Sequence, residues 1–297
     1  MKNLKKCCFA VIAIALVWSC QKEERVKNEK GNEMQFLANY REAPYTKATT
    51  SFTAGNKVTI YACEATKTPS SSTFVNGTPL NATAQSGGVL TPQQSLFLAK
   101  GSYNFYSVSQ NSSSLLNLNF SSGSSEQLTN DIDYLWAEAK NVKEGGTVSF
   151  IYSHKAVGIK IEVYPGTGVS NLLVTDLQLT PSKSTTSSKM NLATGVIAAS
   201  NELDALTSLS LANNIGEKIM LPLTSQSLSI KVTANLTIGS TTFTGKVYEA
   251  TIPASAYQGG TYYTLNLTID AKEITFSGSK LQQWTNQAIT GVTLVEK

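Results

Sequence analysis

The sequence predicts an all-β fold: two antiparallel β-sandwich modules in tandem, preceded by an export segment and a flexible leader. Three observations carry this reading. Short runs in which apolar and polar residues alternate recur along the chain, as half-buried strands require. Glycine, asparagine, serine and proline punctuate them at turn-like intervals. Charged residues fill only 15% of the 297 positions against 41% hydrophobic, so the outward positions must be neutral and polar. A mean hydropathy of -0.09 still leaves enough apolar material for sizeable cores.

The N-terminus stands apart. Lys2, Lys5 and Lys6 form a positive head, Cys7 to Trp18 is almost wholly apolar, and Ser19-Cys20 precedes the charged run from Gln21 to Glu24. This pattern marks an export signal, shorter than the roughly 20 apolar residues of a membrane span. Leu16 to Cys20, LVWSC, resembles a bacterial lipoprotein signal, which makes Cys20 the lipidated first residue once residues 1–19 are removed. That removal takes three lysines and no acids, so a net charge of +4 falls to +1. A nearly neutral chain with dispersed lysines has no electrostatic footprint for nucleic acid, and its contact with a membrane is expected through the lipid alone. Cys63 is left without an intrachain partner, so disulfides cannot staple the fold.

Residues 20–34 read as a hydrated spacer, rich in Lys and Glu. Phe36, Leu37 and Tyr40 start the body as a short strand, before Pro44 and a Thr/Ser-rich connection. Lys57–Tyr61, Ser102–Val108 and Leu116–Phe120 alternate, each with one face for a core and one for water. Thr147–Tyr152 and Ala156–Val163 are expected to be neighbouring strands across Ser153-His154-Lys155. Tyr164-Pro165-Gly166-Thr167-Gly168 is a strong breaker and sets the end of the first module, giving domains at 35–165 and 166–297. In the second module the best runs are Leu172–Leu179, Lys218–Leu223, Leu228–Leu236, Phe243–Ala250 and Tyr262–Ile269, with shorter ones at Ile274–Phe276 and Val292–Val295. Between them Ala199–Asn213 could alternate as a strand but is expected to form a short helix or an irregular crossover, because Glu202, Asp204 and Ala205 are weak strand formers.

Chemistry is sparse. One histidine and four cysteines exclude a Cys/His zinc cluster. His154 has no nucleophile or metal set beside it and reads as a packing or hydrogen-bonding residue. Asp131 and Asp133 are two apart and would share a strand face, but the calcium-loop spacing is absent. No nucleophile elbow, P-loop or dinucleotide fingerprint occurs. The expectation is a protein without catalytic residues, metal or cofactor. Trp136, Trp284 and the tyrosine-rich strands offer stacking surfaces for a sugar, although Tyr103, Phe105 and Tyr106 are better read as sandwich packing.

Taken together, LVWSC, the segment Ser51–Ala62 (SFTAGNKVTIYA), Asp133–Ala139 (DYLWAEA), Val148–Val163 (VSFIYSHKAVGIKIEV) and Ala256–Ile269 (AYQGGTYYTLNLTI), followed by ITFSGSKLQQW, resemble the fimbrillin and Mfa-like lipoproteins of Bacteroides-type bacteria. The resemblance spans most of the chain. It implies two transthyretin-like sandwich domains behind a lipoprotein signal and leader. It also implies a subunit anchored by lipid on the outer membrane, exposed at the cell surface, and incorporated into a fimbrium. Subunits of that family are exported, cut by a trypsin-like protease and polymerised by inserting a donor strand into a groove on another subunit. The partners implied are therefore other fimbrial subunits, lipoprotein-processing and maturation proteases, and a host or bacterial surface ligand.

Arg25 and Arg41 are the two arginines of the chain, and both precede the main body. Arg41 directly follows the strand-like Phe36–Tyr40, so it is the favoured cleavage site over Arg25, with 35–41 as the removable strand. Ile289, Val292 and Leu294 alternate in part and are the candidate donor strand. The competing reading is a cell-surface lipoprotein that binds glycans through its sandwiches.

Overall fold

The computed structural model describes residues 32–41, 49–271, 274–282, 292–293 and 295–296, with side chains within 32–40 and 52–271. Cys20, Arg25, Trp284, Ile289 and Leu294 lie outside the described residues. The N-terminal lobe holds β1 (Asn32–Glu33), β2 (Gln35–Arg41), β3 (Thr49–Ser51), β4 (Lys57–Glu64), β5 (Leu80–Ala84), β6 (Leu90–Pro92), β7 (Phe97–Leu98), β8 (Ser102–Ser109), β9 (Leu135–Lys143) and β10 (Thr147–His154). Eight of these form one sheet in the order β3-β2-β10-β9-β8-β4-β5-β6, and β1 pairs with β7. An antiparallel bridge between Leu37 and Val89 brings the β5–β6 end back to β2, so the sheet curls around its own core.

Alternation explains that core. Along β10, Val148, Phe150 and Tyr152 are buried while Thr147, Ser149 and Ile151 are exposed. Their inward set meets Phe36, Val58, Ile60, Phe105 and Leu135 from the strands around it. Strands β4 and β8 depart from the expectation of one wet face. They are buried almost without interruption, because their second face is covered as well. Tyr61, Cys63, Tyr106, Val108 and Trp136 pack there against Leu116, Phe120 and Leu128 of the connection before β9, and against Met190, Leu192 and Leu221 of the C-terminal lobe.

That lobe comprises β11 (Val157–Pro165), β12 (Val169–Leu179), β13 (Thr207–Ser208), β14 (Ser210–Ala212), β15 (Ile215–Met220), β16 (Leu223–Ile238), β17 (Thr241–Tyr257), β18 (Thr261–Ile269), β19 (Ile274–Gln282), β20 (Val292–Thr293) and β21 (Val295–Glu296). Two sheets face each other, β14-β15-β11-β18-β19-β20 and β13-β12-β16-β17-β21. Ile159, Ile161, Leu177, Val232, Leu265 and Leu267 lie among the residues that fill the space between them. Val292 belongs to β20, whose backbone pairs with β19 at Phe276, and Val295 and Glu296 pair with the edge of β17.

Three expectations need correction. β10 and β11 are consecutive but not neighbours: β10 pairs with β2 and β9, whereas β11 pairs with β15 and β18. Chain continuity suggested a hairpin, but Ser153-His154-Lys155 carries the chain across from one lobe to the other. The breaker at Tyr164–Gly168 accordingly turns the chain between β11 and β12, which lie in the two facing sheets of the C-terminal lobe. Ala199–Asn213 runs as an irregular crossover, one of the two expected forms, as far as Leu206, and then forms the short β13 and β14, with Leu209 buried in the sandwich core. Each lobe also contains one parallel pair, β2 with β10 and β11 with β18, so the sheets are mixed and not purely antiparallel.

Candidate strand-acceptor groove

Strand β2 is the first long strand of the described chain, and it is not an ornament on the sheet. It lies between β3 and β10, in parallel register with β10 from Gln35 opposite Thr147 to Tyr40 opposite Tyr152. Its C-terminal end, Asn39 to Arg41, pairs with Ser51 to Thr49. The period of two sends Met34, Phe36 and Ala38 into the core, each 2% exposed or less. Leu37 points the other way and is half-buried beside Val89.

Each inward position has its own surroundings. The Met34 sulfur accepts the Gly145 N–H at 3.2 Å. Phe36 lies edge-on to Phe105, centroids 5.9 Å apart at 73°, and parallel to Phe150 at 6.5 Å. Above Ala38 the Gly87-Gly88 turn comes so close that a Cβ on Gly88 would stand 2.3 Å from the Ala38 carbonyl oxygen, which also accepts the Phe52 N–H at 3.2 Å. Gly88 has φ +79°, so both its space and its backbone exclude a side chain.

The C-terminal end of β2 is held by a polar cluster that the sequence does not announce. The Tyr40 ring stacks on Phe52 at 4.7 Å and lies parallel to His154 at 6.4 Å. Its hydroxyl donates to Asn111 Oδ1, which also accepts from Asn56 Nδ2 at 3.0 Å. Asn111 Nδ2 donates to Asp133 Oδ2 at 2.9 Å, and Asp133 Oδ1 meets His154 Nδ1 at 2.7 Å. Asn111 sits at φ +52°, a left-handed conformation that asparagine tolerates better than most residues. Burial pushes the Tyr40 phenol above its ordinary range against the lowering effect of Thr53 and Asn56, and the Asp133 carboxyl raises it further. Arg41 follows as the last residue of β2.

Other singled-out residues have structural duties. Asp131 turns away from Asp133, at φ +67°, and pairs with Lys218 at 2.8 Å, so the two carboxylates do not converge on a cation. Among the described residues no group of His, Cys, Asp and Glu is placed to hold a metal. Trp136 is 9% exposed, donates its indole N–H to the Leu192 carbonyl at 2.8 Å, and carries the Lys155 ammonium 4.6 Å from its ring centroid. It has no free face for a sugar. Tyr103, Phe105 and Tyr106 are buried, as their packing reading requires. A cavity of about 140 Å³ lies beside Leu236, Phe243 and Tyr248 in the C-terminal lobe, smaller than the ~300–1,000 Å³ of ordinary ligand pockets. None of the described helices is long and apolar enough to cross a membrane.

Comparison with known proteins agrees with this architecture. A family described as fimbrillin-like matches residues 46–284. Among solved structures, a candidate cell adhesion protein from Bacteroides ovatus superposes with a TM-score of 0.61 at 13% identity, covering 86% of this chain and 99% of that one. A fimbrial protein from Bacteroides vulgatus gives 0.54 at 16%, covering 86% and 100%. The tip fimbrial protein Mfa3 from Porphyromonas gingivalis, with a C-terminal truncation, gives 0.50 at 10%, covering 85% and 100%. At such identities the likeness is one of fold. No curated protein matches the chain. The chain belongs to the fimbrillin-like family, a family of fimbrial structural proteins.

Proposed function

We propose that this protein is a fimbrial subunit that is lipidated at Cys20, carried to the outer surface of the cell and joined to its neighbours by strand exchange. Cleavage after Arg41 separates β2 from the body, and a strand from another subunit takes its place. The observation that supports this reading is the position of β2 itself: with Met34 just before it, it supplies Phe36 and Ala38 to the core, and it ends on one of the chain's two arginines.

The physical logic is one of effective concentration. While β2 is continuous with the body, its return to the groove is intramolecular and no free peptide competes with it. Once cut at Arg41, β2 is held by main-chain pairing with β10 and β3 and by its inward side chains alone. A free strand can then replace it, recovering the same ladder and the same apolar burial. Cleavage at Arg25 would leave β2 attached to the body, which is why Arg41 is the productive site. The C-terminal residues Ile289, Val292 and Leu294 are the donor segment that this subunit offers to another groove, and adhesion follows from the filament so built. The maturation protease is one of trypsin-like specificity.

N-terminal sequencing of assembled material tests the reading. Chains beginning at Glu42 support it, and a filament whose subunits keep residues 35–41 would sink it.

A further inference from the structure

We propose that the groove held by β2 reads a four-position code, and that its partner is an extended segment of a different subunit carrying a large apolar residue, an aromatic, a methyl-sized residue and a tyrosine at every second position. The inference rests on strand exchange and adds to it the chemistry of the incoming strand.

The four positions are those of Met34, Phe36, Ala38 and Tyr40, and the surroundings differ enough to discriminate. Phe36 occupies a slot made by Phe105 and Phe150, where an aromatic ring gains edge and stacking contacts that an aliphatic side chain lacks. At Ala38 the backbone cannot retreat, because the Gly88 turn and the Phe52 N–H both press on its carbonyl. The side chain is wholly buried among residues of the same core, so a larger group there overpacks it. At the fourth position the ring stacks on Phe52 and lies parallel to His154, and the hydroxyl is read by Asn111. The amide of Asn111 cannot turn to accommodate a different group. Its Nδ2 is committed to Asp133, its own N–H is tied to Ser109 Oγ at 3.1 Å, and Asn56 also approaches Oδ1 as a donor. The oxygen therefore faces the strand and calls for a donor, which tyrosine has and phenylalanine lacks. Leu37 faces away from this core, so its position in the incoming strand is unconstrained by it.

The chain's own C-terminal segment does not spell this code. Read from Ile289 the alternate residues are Ile289, Gly291, Thr293 and Val295; read from Thr290 they are Thr290, Val292, Leu294 and Glu296. Neither register has an aromatic in second place or a tyrosine in fourth. The groove thus fits a different subunit better than the tail of a second copy.

The test uses the full chain cut with an arginine-specific protease, with intact mass reporting the cut and the departure of β2. Labelled peptides spanning residues 31–41 are then titrated and followed by anisotropy. The parent peptide and its Leu37→Ser form are expected to bind alike. Phe36→Ala and Ala38→Leu peptides bind about tenfold more weakly or worse, and Tyr40→Phe about fivefold more weakly. In an Asn111→Ala chain the Tyr40→Phe peptide matches the parent, and a peptide of residues 289–297 binds about tenfold more weakly than the parent. An Ala38→Leu peptide as tight as the parent, or a tail peptide that equals it, overturns the code. Absence of all peptide binding to cut protein counts against strand exchange instead. In that event thermal midpoints of the uncut chain decide the code separately: Phe36→Ala and Ala38→Leu must lower the midpoint well below that of Leu37→Ser, and equal midpoints overturn it.

Discussion

Trp136 donates its indole N–H to the carbonyl of Leu192 across 2.8 Å, joining strand β9 of the N-terminal lobe to the connection between β12 and β13 in the other. It is one thread of a wider seam. Asn130 Oδ1 accepts the Leu221 N–H at 2.9 Å, Asn130 Nδ2 donates to the Ser182 carbonyl at 2.8 Å, and the surrounding apolar cluster draws residues from both lobes. Two lobes sharing a core have little independent stability to express. The expected outcome is a single cooperative unfolding transition for the mature chain, with calorimetric and van't Hoff enthalpies in agreement. Two resolved transitions in scanning calorimetry would show that the lobes come apart first.

Gly195 lies close against that seam. A Cβ there would fall 2.4 Å from Trp136 Cδ2 and 2.8 Å from Lys155 Cε, and the residue's φ is +68°. Gly195→Ala is expected to cost about 2 kcal/mol through crowding and backbone strain together, read as a lowered denaturant midpoint. Gly55→Ala is the control for strain alone, because its φ is +89° and no atom lies within 4 Å of the added carbon. A cost at Gly195 no larger than at Gly55 would mean that the contact with Trp136 relaxes freely.

Gly88→Ala acts on β2 from outside the groove. The new methyl must displace either the turn or the Ala38 peptide, so the chain should lose about 1–3 kcal/mol and β2 should leave faster after cleavage at Arg41. Mass spectrometry of the departing peptide over time measures the second effect. Unchanged release would show that the Gly87-Gly88 turn lies over β2 without holding it.

Alkaline pH probes the cores through their tyrosines. Burial above all, with Cys63 and Glu138 adding, pushes Tyr106 up to about 12, and burial also raises Tyr152 and Tyr257 above the usual 10.0. In the unfolded chain these phenols ionise from about pH 10, whereas in the folded chain they keep their protons. The native state then binds more protons than the unfolded one, so stability falls as pH rises from about 10 to about 12 and is insensitive to these groups below that window. Denaturant midpoints across the window should drop while tyrosinate absorbance lags behind that of the unfolded chain. Complete tyrosine ionisation near pH 10 in a chain that stays folded would contradict the burial of these rings.

Much of the architecture is legible in local pattern, because a strand with one buried face writes its period into the sequence. Val148, Phe150 and Tyr152 alternate with Thr147, Ser149 and Ile151, and the strand is there. The same period separates Phe36 from Leu37, and it points to Met34 and to Ala38, the second of which an inspection for large apolar residues passes over. Pairing is less legible. Nothing in Ser153-His154-Lys155 distinguishes a hairpin from a crossing between lobes, since both need only a few residues free to turn. Burial of the second face of β4 and β8 is equally hidden, as it depends on Phe120 and Met190, far away in the chain. The Asn111 cluster is harder still. Tyr40, Asn56, Asn111, Asp133 and His154 come from five separate stretches, and only the left-handed tolerance of asparagine hints that Asn111 holds a special position.

The most direct test of strand exchange is to cut the full chain with an arginine-specific protease and follow residues 35–41 by intact mass while uptake of an added labelled peptide of residues 31–41 is monitored by native electrophoresis. The account predicts cleavage after Arg41, loss of the β2 peptide from the body, and capture of the labelled strand by the cut chain, none of which an Arg41→Lys chain shows under the same protease. Equal capture of the labelled strand by Arg41→Lys chains that keep residues 35–41 would contradict it.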